Sequence, residues 1–155
     1  MSIVQYIDII FAIIVWAAAL LLVKPKRIAE LLPVSLIAVI VLFAVDIFFT
    51  TLGLYRFNNP LLPIGGIPFF HLIWSTGGAI VIMNYMKREF SKKLIMIFFF
   101  TIISGLFGYV SEAVGGHSHL NNFNEVYNIA LDFVSLSFFV FISEGLFSER
   151  IYHKA

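Results

Sequence analysis

The sequence contains no cysteine, which excludes disulfides, thiol nucleophiles and thiolate metal sites and leaves His, Asp and Glu as its strong ligand side chains. Charge is scarce too. Only 12% of the 155 residues are Asp, Glu, Lys or Arg, about half the share in a soluble domain. The formal net charge is +1 and no long basic run occurs, so there is no clustered positive surface for a phosphate backbone and nucleic acid is excluded as a partner. Phosphate-binding glycine loops, the serine-hydrolase elbow and the H-E-x-x-H zinc helix are also missing. What remains is apolar: 61% of residues are hydrophobic and mean hydropathy is +0.99. At about 20 apolar residues per span, that supply makes four to five transmembrane helices, and a water-soluble fold is excluded.

Five apolar stretches stand out, at 3–23, 31–54, 67–86, 94–114 and 126–147. The first has no Lys or Arg before it, and its Ala17-Ala18-Ala19 stretch is followed by more leucine, so it reads as a retained span, not a cleavable signal. The others are separated by a basic patch at 24–30, an Asn-Pro and Gly-Gly loop at 55–66, a basic turn at 87–93 and a polar turn at 115–125. Runs of this length without period-2 alternation are helices, because a bilayer leaves no other partner for the backbone. The expected fold is all-α: one polytopic membrane bundle of five transmembrane helices.

Nine of the ten Lys and Arg fall in the first loop, the third loop and the tail, the last supplying Arg150 and Lys154; Arg56 alone lies on the other side. Cytoplasmic loops retain positive charge, so the N-terminus is expected outside and the C-terminus inside. The second and fourth loops share an Asn-rich outer turn, a plan compatible with a duplicated hairpin, though no residue-by-residue identity links the two.

Ionisable residues inside spans are rare and costly, so each is a candidate for function. Asp46 is expected roughly 12 Å below the outer surface, and His71 and Asp132 roughly 6–10 Å below it. Helical spacing aligns Asp46, Thr50 and Gly53 on one face; His71, Ser75 and Gly78 on another; Asn128, Asp132 and Ser135 on a third; and Ser104, Gly108 and Glu112 on a fourth. These stripes are expected to face inward, with Phe, Ile, Leu and Val toward lipid. The candidate cluster is therefore Asp46, His71, Glu112, Asp132 and Asn128. Asp8, and Glu112 to the same degree, lie near the outer end and read as interfacial groups in contact with water. For any single residue the plainer reading is interhelical glue, with Asp46 paired to His71.

His117 and His119 form an H-x-H pair that with Glu112 or Asp46 offers metal-ligand chemistry, against a plainer reading as loop decoration. Neither a metal nor a cofactor is expected. Glu144 and Glu149 read as solvated or paired with Arg150, the Gly77-Gly78 pair as a close contact or kink, and Tyr6, Tyr55, Tyr85 and Tyr127 as an interfacial belt.

Asp46, the turn Gly53-Leu54-Tyr55-Arg56-Phe57 and the segment Gly66-Ile67-Pro68-Phe69-Phe70-His71 resemble a motif series of membrane lycopene cyclase domains over about thirty residues. That resemblance implies an isoprenoid substrate. Phe70 and His71 stand where the family carries its acidic pair, the proton donors credited with starting cyclisation. Across residues 25–148, Asp46, the Gly-Leu-Tyr-x-Phe turn, Glu112, Tyr127 and Ser135 resemble an uncharacterised family of small multi-pass membrane proteins from Firmicutes, which implies the topology and a bacterial cytoplasmic membrane.

Three functions are weighed. The first is a binding or accessory membrane protein whose outer cavity, lined by Asp46, His71 and Asp132, holds a small ligand, lipid head group or cation. The second is a membrane-embedded enzyme on an isoprenoid or lipid, with Asp46 as proton donor or base and His71 its partner. The third is a proton- or cation-coupled transporter, which at five spans needs a homo-oligomer to make a pathway. The expected partners are the bilayer and a lipid or small ligand.

Overall fold

The computed structural model describes residues 3–153, so Lys154 of the basic tail lies outside the described residues. Helix makes up 77% of the described residues, in five segments: α1 (Ile3–Leu22), α2 (Pro25–Thr51), α3 (Phe69–Tyr85), α4 (Phe90–Ala113) and α5 (Glu125–Tyr152). Four of them, α1, α2, α4 and α5, are long and apolar enough to cross a membrane. The 17 residues of α3 rise roughly 25 Å, a little less than the hydrocarbon thickness of about 30 Å.

Helix ends follow local chemistry more than hydropathy. The basic patch expected to be a loop is the first two turns of α2, because Pro25 sits where a helix needs no N–H and Arg27 pairs with Glu30 one turn on at 3.1 Å. Its other end falls at Thr51, short of residue 54, since Gly53 takes a left-handed φ of 69° that ends the helix. Likewise α4 begins at Phe90, so Lys92 and Lys93 are helical. The fifth helix starts under an Asn124 cap, whose side chain accepts from the backbone N–H of Val126 and Tyr127, and runs past residue 147 to Tyr152 with a break at Phe147.

Packing neighbours run in the order α1, α3, α2, α5, α4, and the ring closes more loosely between α4 and α1, where Phe11 meets Phe107 edge-on with centroids 4.6 Å apart. Gly77 permits the α1–α3 approach: a Cβ there would come within 3.1 Å of Val15 and 3.3 Å of the Trp16 ring. A buried apolar cluster that includes Ala19, Leu31, Ile80, Met83, Ile97 and Val140 fills the end near the basic loops.

At that end the basic residues cross-link the helices. Arg27 donates to the backbone carbonyls of Arg150 and Ile151 on α5, and Lys93 pairs with Glu144. Glu144 also accepts from the Tyr152 hydroxyl at 3.0 Å. Glu144 is thus bound to Lys93, not to Arg150 and not left to solvent, because α4 begins early enough to carry Lys93 over α5.

The opposite end is closed by two short antiparallel sheets. β1 (Tyr55–Phe57) pairs with β4 (His117–His119) in the register Tyr55 to His119, Arg56 to Ser118 and Phe57 to His117. β2 (Pro63–Ile64) pairs with β3 (Ile67–Pro68) across the Gly65-Gly66 turn. Asn58 donates to the Gly115 carbonyl at 3.0 Å and to Ser118 at 2.8 Å, while Asn121 donates to the Gly53 carbonyl at 2.9 Å. The α2–α3 and α4–α5 connections are therefore stitched into one cap.

Candidate functional site

Under this cap the structure gathers polar side chains from all five helices and both longer connections. His71, at the start of α3, faces Asp46 of α2 through Nε2 at 3.2 Å and Asp8 of α1 through Nδ1 at 3.4 Å. An imidazole has a proton for each of two carboxylates only as the imidazolium, so the geometry is that of a charged ring bridging two acids. Asp46 is 4% exposed, and its second oxygen, Oδ1, accepts from the Tyr55 hydroxyl at 2.5 Å. Burial raises the Tyr55 phenol well above its ordinary range, and the neighbouring Asp46 carboxylate adds to this, so Tyr55 remains a donor.

These groups line one cavity of about 80 Å³ together with Asp132, Asn128 and His117. Aromatic rings wall the cluster: Phe57 and Trp74 each stand edge-on to His71 at 5.0 Å, and Trp74 stacks on Phe107 at 5.8 Å. The Trp74 Nε1 is buried without a hydrogen-bond partner, and Asp46 Oδ2 has His71 Nε2 as its neighbour at 3.2 Å. Asp8 and Asp46 thus share one imidazole, with Asp132 a third acidic side chain in the same cavity.

Of the sequence-derived set, Asp46, His71, Asp132 and Asn128 meet in this cavity. Glu112 does not. It sits beside His119, whose Nδ1 lies 3.0 Å from its Oε1, in a second group with His117 and Glu125. Burial, reinforced by the adjacent His119, pushes His117 down to about 4, so its imidazole is neutral at physiological pH. Two corrections concern residues read as interfacial. Asp8 faces His71 with its side chain 15% exposed, because five residues of α1 suffice to bring it under the cap. Tyr55 is 6% exposed and belongs to the site and not to a belt, because β1 turns it back over α2.

Below the polar cavity lies a second, apolar space of about 610 Å³, lined by residues of all five helices from Leu22 and Tyr85 up to Trp74. The two spaces share Leu42, Trp74, Ser104, Phe107, Asp132 and Ser135 as a common wall. Ile14, Leu22 and Phe99 line the apolar chamber and are also 50%, 54% and 56% exposed, so it opens sideways between α1 and α4.

No protein-family model matches the chain, and no curated protein or solved structure matches it either.

Proposed function

We propose that this protein is a multi-pass membrane protein that binds an amphiphile, seating an apolar tail in the chamber and a hydroxyl or ammonium head among Asp46, His71 and Asp132. The shared wall between the two spaces carries the reading. A volume of about 610 Å³ falls within the range of about 300–1,000 Å³ of small-molecule sites. In a bilayer, moving a hydrocarbon tail from lipid into an apolar pocket yields little hydrophobic gain, so selection falls to the polar end. That end offers three acidic side chains, and it favours a donor-bearing head over a phosphate or carboxylate.

The topology that goes with this reading is five spans in a bacterial cytoplasmic membrane, N-terminus outside and C-terminus inside. Its support is the contacts of Arg27 with Arg150 and Ile151, of Lys93 with Glu144, and of Tyr85 with Leu22, which gather the basic loops at one end. An enzyme on the same class of ligand is the second reading. It is favoured by His71 lying within 3.4 Å of two carboxylates, a proton-transfer arrangement at the head of the chamber.

Native mass spectrometry of protein purified in mild detergent tests binding. One amphiphile per chain is expected on the wild type, and Ser135→Trp, which fills the chamber without touching His71, should release it. Wild-type protein that carries no amphiphile and takes none from an added lipid extract would overturn the proposal.

A further inference from the structure

We propose that the α4–α5 turn is a binding site for a divalent transition-metal ion of the zinc class, with Glu112, His117 and His119 as ligands and Glu125 as the outer carboxylate. The site shares only His117 with the lining of the polar cavity and does not depend on the amphiphile reading.

Backbone geometry comes first. On β4, residues two apart share a face, so His117 and His119 project together, with ring centroids 5.1 Å apart. Glu112 arrives from the last turn of α4, and Gly115, at a φ of 82°, reverses the chain so that this carboxylate meets the strand. One donor atom from each of the three lies within 4.8 Å of the others. A tetrahedral ion with bonds of about 2.0–2.2 Å holds its donors about 3.3 Å apart, so small side-chain rotations close the set. The Glu112 to His119 separation of 3.0 Å is already there.

The second observation is unspent polar capacity. The His119 side chain is 9% exposed, and its Nε2 is buried without a hydrogen-bond partner. The Glu125 carboxylate, which has Asn128 beside it, faces the same nitrogen, with Oε2 4.0 Å from that Nε2. Leaving such a nitrogen unsatisfied costs about 1–3 kcal/mol. A metal ion on the Glu112 side resolves the arrangement: it takes one nitrogen of His119 as ligand, and the other becomes the N–H that Glu125 receives. This histidine-to-carboxylate second contact accompanies metal-bound imidazoles generally. Two imidazoles and a carboxylate form the donor set of zinc and its neighbours; calcium and magnesium prefer oxygen-only shells.

The ion would also fasten the cap. Its ligands lie on α4 and on β4, which is paired to β1, and His117 lines the polar cavity as well. Bound metal therefore locks the cover over Asp46 and His71.

The test is metal content and Zn²⁺ affinity of the full-length protein, purified with a tag that carries no histidine. One Zn²⁺ per chain is expected, with micromolar or tighter affinity against a competing chelator. His119→Ala and Glu112→Gln should each weaken it at least tenfold, Glu125→Gln by a smaller factor, and His153→Ala, at the far end of α5, not at all. Zn²⁺ should raise the unfolding temperature of the wild type and not of His119→Ala. Affinity that is unchanged in His119→Ala, or weak and equal in every variant, would overturn the proposal. Should the substitutions prevent folding, X-ray absorption of Zn²⁺-loaded wild-type protein decides: two imidazoles in the first shell support the site, and none defeats it.

Discussion

The two ends of the bundle bury charge in opposite ways. Near the basic loops, cations are matched to acceptors: Arg27 reaches two α5 carbonyls and Glu30, and Lys93 and Tyr152 share Glu144. The helices between bury Ala19, Leu31, Ile80 and Met83 in one apolar cluster. Under the β1–β4 cap, acids outnumber imidazoles, the aromatic rings stand around a hollow, and buried atoms of Trp74, His119 and Glu125 lack hydrogen bonds, against Arg27 Nε and Ser143 Oγ at the other end. A protein tolerates such a deficit where something else supplies the missing contacts, so the matched end reads as framework and the mismatched end as site.

Breaking the matched end should have the largest effect. Arg27→Ala strips two α5 carbonyls of their donor, and Lys93→Met leaves Glu144 without its cation in a place where the lysine is 5% exposed. Each should cost about 3 kcal/mol in SDS-driven unfolding from mixed micelles. Asp132→Asn, at the crowded end, replaces one of three neighbouring acids by a neutral amide and should leave stability unchanged or raise it while weakening amphiphile retention. A loss for Asp132→Asn as large as that for Lys93→Met would erase the distinction between the ends.

A smaller effect is expected at the join between cap and site. Tyr55→Phe removes a hydrogen bond to a buried carboxylate and leaves the Asp46 Oδ1 without its donor, at a cost of about 2 kcal/mol. The same variant should lower amphiphile retention, since Asp46 then turns toward the remaining donors. Unfolding curves and native mass spectra of one preparation measure both, and a change in stability alone would make Tyr55 a strut.

Much of this was legible beforehand, for physical reasons. Bilayer thickness forces apolar runs to the length of a span, so all five helices could be located from composition, and helical period put Asp46, His71 and Asp132 on inward stripes. Boundaries were less legible, because hydropathy does not register Pro25 at a helix start or the φ of Gly53 at a helix end. The site was legible only where its residues lie on helices. Asp8 was discounted because depth along a helix says nothing about what folds over its end, and Tyr55 was misread because pairing of β1 with β4 is a contact between residues 64 positions apart. The alternation in His-Ser-His was the one local sign of that strand.

The finest version of the comparison lies in two adjacent glycines. Gly77 faces the packed α1–α3 seam, where an added methyl would meet Val15 at 3.1 Å and Trp16 at 3.3 Å. The indole cannot yield easily, because its Nε1 is tied to the Ile73 carbonyl at 3.0 Å. Gly78 lines the hollow chamber, and its added methyl would find only Val15, at an ordinary 3.9 Å. Both sit mid-helix, where alanine is favoured over glycine by about 1 kcal/mol. Gly78→Ala should therefore keep that gain and stabilise by a few tenths to about 1 kcal/mol, whereas at Gly77 the overlap should cancel or exceed it. Unfolding of the two single variants side by side reads the difference directly; equal shifts would mean that the chamber beside Gly78 is as full as the seam beside Gly77.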